Sequence, residues 1–137
     1  MKKRGFGAGN WNGAGGKTRE GEDVLDAAIR EVQEEVGVRL KKQNIREAGY
    51  IDFSNEQDPS WEQRVYVYLA DAWEGEPAES EEMKPQWFKM SELPFSQMWP
   101  DDPYWLPKVL NGEKIKANFQ FANKTTINKY IVNTASV

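Results

Sequence analysis

The chain has 137 residues and a formal net charge of −4, which suits one domain with a real core and argues against a duplex nucleic-acid binder, since that would want a basic face. It contains no cysteine and no histidine, so a disulfide framework, thiol chemistry and imidazole catalysis are all excluded. No run is apolar enough to span a membrane, and the basic start Met1-Lys2-Lys3-Arg4 is followed by no apolar stretch of the signal-peptide kind, so no membrane association and a cytoplasmic location are expected.

In chain order, residues 5–16 are glycine-rich and read as a loop ending in Gly13-Ala14-Gly15-Gly16. Val24, Leu25, Ala28, Ile29, Val32 and Val36 recur at helical spacing, acidic residues crowd the start, and Gly37 stands where a left-handed cap is wanted; a helix from Asp23 to Val36 is predicted. Ile45 to Ser54 reads as a strand and Glu56 to Ser60 as a turn centred on Asp58-Pro59. Arg64 to Trp73, with Val65-Tyr66-Val67-Tyr68-Leu69, is the clearest strand, and Glu74 to Glu82 an acidic loop. Gln86-Trp87-Phe88 is predicted as a short strand, Met90 to Leu93 as a helical turn, and Pro100 to Leu110 as a helix despite Pro107 inside it. Phe119 to Phe121 and Ile127 to Val132 pair as a final hairpin in this reading. Strands and helices mix irregularly, so the fold class is α+β (mixed α/β).

The predicted helix carries the chemistry. Glu31 lies three residues before Glu34 and four before Glu35, so the three carboxylates share a face. Like charges at that spacing destabilise a bare helix by a few tenths of a kcal/mol, a penalty that a bound cation removes. Magnesium suits such a site, because it accepts carboxylate oxygens and keeps waters and substrate phosphates as its other ligands. Arg30 beside the cluster can hold one carboxylate by a forked hydrogen bond. The competing reading is a solvated acidic face. Gly15-Gly16-Lys17-Thr18 resembles the end of a P-loop, but the earlier glycine that motif needs is Trp11 here, and no apolar strand precedes it.

The spacing of Gly16, Glu22 and Arg30-Glu31-Val32-Gln33-Glu34-Glu35-Val36-Gly37-Val38 is that of the Nudix box, and the chain resembles the Nudix hydrolases. Chance agreement at seven fixed residue types is on the order of one in 10⁸ from average usage. Several further segments are similar to the MutT-related branch that hydrolyses oxidised purine nucleoside triphosphates: Met1 to Gly9, Trp11-Asn12-Gly13, Glu79 to Met83, Trp87-Phe88, Pro94-Phe95, and Met98-Trp99-Pro100-Asp101-Asp102 with Tyr104-Trp105.

The resemblance implies a Nudix fold, a mixed sheet flanked by helices, formed by residues 1–137 as a single domain. It also implies a first strand ahead of the point matching Met1, which this chain does not contain, so a shortened domain, or strand exchange between otherwise monomeric chains, is expected. It implies Mg2+ (Mn2+ as an alternative) held by Glu31, Glu34 and Glu35, with the Gly16 carbonyl and Glu82 as further ligands. Glu35 or Glu31 would be the base and Arg30 the orienting residue. Trp99 would stack on the purine, a contact worth roughly 1–3 kcal/mol. Asp101 and Asp102 would face its Watson–Crick edge, sharing a proton, and Asn12 would bind the base from the opposite side. Phe6, Phe53, Met83 and Phe121 match pocket-lining positions, while Gly15, Gly16 and Lys2 or Lys17 adjoin the phosphates. The expected activity is hydrolysis of 8-oxo-dGTP- or 2-hydroxy-dATP-type nucleotides to monophosphate and pyrophosphate, in a cytoplasmic, nuclear or mitochondrial pool. The alternatives are a Nudix hydrolase of another nucleoside diphosphate derivative and a catalytically impaired nucleotide-binding relic. Taken singly, the aromatic residues also read as core, Asp101-Asp102 as a helix cap, and Asn12 as a turn residue.

Overall fold

A computed structural model describes residues 1–4 and 6–135; Gly5, which begins the predicted N-terminal loop, lies outside the described residues. In chain order the regular elements are α1 (Val24–Val36), β1 (Ile45–Asn55), β2 (Gln63–Ala70), α2 (Asp102–Leu110), β3 (Lys114–Phe121) and β4 (Ile127–Ala135). Short 3₁₀ turns stand at Lys42–Asn44, Pro59–Trp61, Met90–Glu92 and Phe95–Gln97. The chain forms two compact units, one from Met1–Ile45 and Ala70–Met98, the other from Arg46–Leu69 and Trp99–Val137.

In the first unit, α1 ends as its sequence dictates. Gly37 takes the left-handed conformation (φ 75°) and returns its N–H to the Gln33 carbonyl. The helix buries Ala27 and Glu35. The first residues run beside the segment after the acidic loop: Lys2 bridges Met83, and the Lys3 N–H donates to the Glu82 carbonyl at 2.9 Å. Trp11 fixes the following loop. Its main-chain N–H donates to the Gln97 carbonyl at 2.8 Å, its indole N–H donates to the Gln97 side chain at 3.1 Å, and its ring meets Phe88 edge-on.

In the second unit the sheet order is β2-β1-β3-β4. β1 and β3 run parallel and β3 and β4 antiparallel, so the sheet is mixed and the class is α+β. β3 alternates strictly, with Ile115, Ala117, Phe119 and Phe121 buried. With Ala48, Ile51, Trp61 and Val109 they form the core of this unit. Gly49 sits at φ 116° directly against the main chain of Ile115, so the two strands approach where a side chain would not fit.

Three sequence expectations change. Gln86–Phe88 forms no strand: the segment is held by ring contacts, Trp73 stacked on Trp87 at 5.2 Å and Trp11 against Phe88, and Trp87 stays 70% exposed. The strand predicted to reach Trp73 stops at Ala70, because the Asp71 N–H turns to the Asn44 carbonyl and Glu74 bridges Arg39. The final hairpin is longer than its apolar runs, since main-chain pairing continues through the polar Asn133 and Thr134.

Candidate functional site

Arg30 is the hub of the first unit's acidic cluster. Its Nε and Nη2 donate to the two oxygens of Glu22 at 2.9 and 3.0 Å. Nη1 donates to Glu31 at 2.8 Å and to Glu34 at 3.2 Å, and Nη2 also reaches the Lys17 carbonyl at 3.1 Å. The predicted fork therefore exists, but it grips Glu22, eight residues earlier and outside the helix. That bond pulls the Glu22 carboxyl down to about 2 and pushes the Arg30 guanidinium up.

The Glu31 carboxylate also lies against Gly16. A Cβ on Gly16 would lie 2.5 Å from the Glu31 Cδ and 2.7 and 2.9 Å from its oxygens. A side chain there would displace the carboxylate, so the box glycine is a packing requirement; Gly16 needs no left-handed backbone. Glu35 is 3% exposed and accepts the Gly15 N–H at 3.2 Å. Burial raises its pKa, opposed by the Gly15 N–H and the Lys2 charge and assisted by Glu31 and Glu82. Lys2, Gly15, Gly16, Glu31, Glu35 and Glu82 thus belong to one electrostatic neighbourhood, with Met83 buried beside Lys2. Asn12 is half-buried, Phe6 is exposed, and Lys17 is exposed with its carbonyl engaged by Arg30.

The carboxylates do not form the single cage that their spacing suggested. Among the described residues no three His, Cys, Asp or Glu side chains converge as a metal cluster. The reason is visible: Arg30 draws Glu31 and Glu34 toward itself, while Glu35 faces the Gly15 N–H. The donor set still fits a hard divalent cation, which needs only one or two carboxylates beside waters and substrate phosphates. A backbone brought against Glu31 by a glycine is the kind of cradle that supplies a further carbonyl ligand.

The second unit gathers the other predicted residues. Trp99 meets Trp61 edge-on at 5.6 Å, and Trp61 lies against Phe121 at 5.1 Å. Phe53 stacks on Phe119 at 6.2 Å and tilts against Phe121. Phe121 is fully buried, whereas Trp99 and Phe53 are half-buried. Asp101 and Asp102 are 3% and 7% exposed. Asp101 stands at the N-cap of α2 yet makes no capping bond; its Oδ2 accepts the Trp105 indole N–H at 2.8 Å. Burial raises the Asp101 pKa, with the Trp105 bond pulling down. Burial, then the charge of Asp101, raises Asp102 to about 7.

Two residues escaped the sequence reading. Trp61 directly follows the turn predicted at Glu56 to Ser60, where no periodicity points to it, and only its burial against Trp99 and Phe121 reveals it. Trp105 lies four residues after Asp101, a helical offset that could have suggested the contact.

A mixed sheet with a glycine-preceded acidic helix organised around an arginine defines a phosphate-handling hydrolase class, and the NUDIX domain family profile matches residues 1–109; the chain belongs to the Nudix family. It is 46% identical over 130 residues to a Mus musculus protein named oxidized purine nucleoside triphosphate hydrolase, covering 95% of this chain and 81% of that protein. It is 45% identical over 127 residues to a Danio rerio protein of the same name, covering 93% and 80%. The crystal structure of the mutator MutT protein from Bacillus halodurans is similar with TM-score 0.77 and 25% identity, covering 91% of this chain and 83% of that one.

Proposed function

We propose that this chain is a Mg2+-dependent nucleoside triphosphate pyrophosphohydrolase that cuts oxidised purine nucleoside triphosphates to the monophosphate and pyrophosphate, and so cleans the nucleotide pool. The observation that carries this reading is the Arg30-centred constellation, in which Glu22 anchors Arg30, Arg30 orients Glu31 and Glu34, and Gly16 leaves room for the Glu31 carboxylate. The relatives' names support the substrate class.

Glu31, Glu34 and Glu35 are the proposed metal ligands, with the Gly16 carbonyl and Glu82 able to add to the set. A divalent cation bound there would neutralise phosphate oxygens and lower the pKa of an attacking water. Glu35, its proton affinity raised by burial, is the first choice to take that water's proton, with Glu31 second. Lys2 adds positive charge beside Glu35 and is assigned to the phosphates. Trp99, Asp101 and Asp102 are assigned to the base, Asn12 to its hydrogen bonding, and Phe53, Phe121, Met83 and Phe6 to the lining. Two adjacent buried acids, both raised by burial, that share one proton can accept from a ring N–H and donate to a ring acceptor, which suits a base edge presenting both. The reading takes the chain as one Nudix domain acting as a monomer on free nucleotides in a reducing compartment, consistent with a cysteine-free sequence in which no described helix is long and apolar enough to cross a membrane.

Glu35→Gln should abolish Mg2+-dependent pyrophosphate release from an 8-oxo-purine triphosphate, with circular dichroism and thermal midpoint close to those of the parent chain. Full activity in that variant would overturn the assignment of Glu35.

A further inference from the structure

Among the described residues the buried polar side chains are Glu35, Asp101, Asp102 and Asn55. The three acids are assigned to the metal or the base; Asn55, at the end of β1 and 9% exposed, is not. Its place follows from the strand pairing. Asn55 lies opposite Phe121 in the parallel β1–β3 ladder, two residues after Phe53 and four after Ile51. Alternation puts Ile51, Phe53 and Asn55 on one face of the sheet, together with Phe119 and Phe121. Trp61 lies against Phe121 and meets Trp99 edge-on. An amide therefore ends an otherwise aromatic wall, the same wall whose rings are assigned to the base.

Only half of that amide is used. Its Oδ1 accepts the Gln57 N–H at 2.8 Å and closes the turn that leads to Pro59–Trp61. A main-chain N–H only donates, so this bond fixes which end is oxygen and which is Nδ2. The turn asks nothing of Nδ2, which carries two N–H donors. Among the described residues Nδ2 makes no hydrogen bond, and no side-chain nitrogen or oxygen is both sealed from solvent and without a partner. Nδ2 is thus open to solvent. A base that covers the wall expels that solvent, and Nδ2 must then find an acceptor on the base or cost about 1–3 kcal/mol.

We propose that Asn55 is a specificity-determining residue of the base site, its Nδ2 donating to an oxygen or ring-nitrogen acceptor of the bound purine. The inference rests on the reading of Trp99, Asp101 and Asp102 as base-binding residues. Asn55 complements the aspartates: carboxylates accept, whereas Nδ2 only donates. A purine that offers an acceptor toward the end of β1 is retained. One that offers a C–H or N–H there leaves the donor dry and unpaired, and is rejected.

The test is binding of 8-oxo-dGMP, and separately of inorganic pyrophosphate with Mg2+, to the parent chain, Asn55→Asp and Asn55→Leu at pH 8. Asn55→Asp keeps the oxygen that closes the turn and removes the nitrogen; Asn55→Leu keeps the bulk and removes both. Both variants should bind 8-oxo-dGMP about tenfold more weakly and pyrophosphate as the parent does. In the 15N-labelled parent, the Asn55 side-chain N–H signals are assigned by through-bond correlation to the Asn55 main chain. One of them should shift on saturation with 8-oxo-dGMP and stay in place with pyrophosphate, a response that a purely structural asparagine would not give. An unchanged 8-oxo-dGMP affinity in a folded variant, loss of both ligands together, no binding of 8-oxo-dGMP by the parent, or amide signals unmoved at saturation overturns the proposal. If neither variant folds, the amide signals of the parent decide. A parent chain that binds 8-oxo-dGMP through Asn55 but releases no pyrophosphate from the triphosphate would sink the functional reading alone. A parent that hydrolyses the triphosphate while Asn55→Asp binds normally would sink the proposal alone.

Discussion

Gly16 allows activity and stability to be separated at one atom. Its backbone is not left-handed, so alanine fits the dihedrals, and the atoms nearest to the added methyl are the end of the Glu31 side chain. Stability should change by no more than about 1 kcal/mol in Gly16→Ala. The Glu31 carboxylate must move, however, and Arg30 holds it by a 2.8 Å bond. Misplacement of a metal ligand or base by about an ångström costs on the order of 10²-fold, so kcat/KM should fall between about 10- and 100-fold with the thermal midpoint nearly constant. Gly13→Ala, where the same methyl meets nothing within 4 Å, is the matched control. Parallel kinetics and melting curves check this; equal kinetics in the two variants would remove Gly16 from the site. That Glu31 and Glu34 lie within reach of Arg30 was legible because helical offsets fix which side chains are neighbours, whereas the turn of Glu35 to the Gly15 N–H was not. Nor was the partner of Arg30 outside the helix, since Glu22 precedes α1 and no periodicity links it to the helix.

Among the elements, β1 and β3 depend on a glycine for a different reason. Gly49 has φ 116°, and a Cβ there would stand 1.8 Å from the Ile115 carbonyl oxygen and 2.8 and 2.9 Å from its C and N. These are main-chain atoms of the paired strand, so no side-chain rotation relieves the clash. Gly49→Ala should destabilise the chain by at least about 3 kcal/mol, from strain at a left-handed position together with separation of a buried ladder. Urea unfolding measures it, and a loss below about 1 kcal/mol would show that the strands can part cheaply. The same contrast explains what the sequence revealed of the elements. α1 was read within a residue of its bounds because its stripe and cap are local signals. The Gln86–Phe88 strand failed because strand formation needs a partner that no local pattern supplies; the segment instead stacks Trp87 on Trp73. β4 was read too short because main-chain pairing, not apolar content, sets its end.

At the scale of the whole molecule, acids with shifted pKa values supply two opposite pH limbs: burial raises Asp101 and Asp102 in the second unit and Glu35 in the first, whereas Arg30 lowers Glu22. Asp102 has a folded-state pKa of about 7 against the usual 3.8, and burial raises Asp101 in the same direction. An acid whose pKa is raised on folding binds its proton more tightly in the native state. Its stabilising effect is present below the unfolded value and is lost as pH climbs toward the folded value, at up to about 1.4 kcal/mol per unit for one group. The second unit should therefore gain stability on acidification from pH 7 to pH 5, by on the order of 1–2 kcal/mol. Glu22 has the opposite sign: its pKa falls to about 2, so its contribution is full above the usual 4.5 and is lost as pH drops toward 2. The first unit keeps the Glu22–Arg30 anchor from pH 7 to pH 5 and loses it only in stronger acid. Amide exchange corrected for intrinsic rates resolves the two. Opening free energies in β1 and β3 should rise from pH 7 to pH 5, and protection in α1 should fall between pH 4 and pH 2. A second unit whose protection is flat or falls from pH 7 to pH 5 would mean that Asp101 and Asp102 keep ordinary acidities, and the base-edge chemistry assigned to them would fail with it.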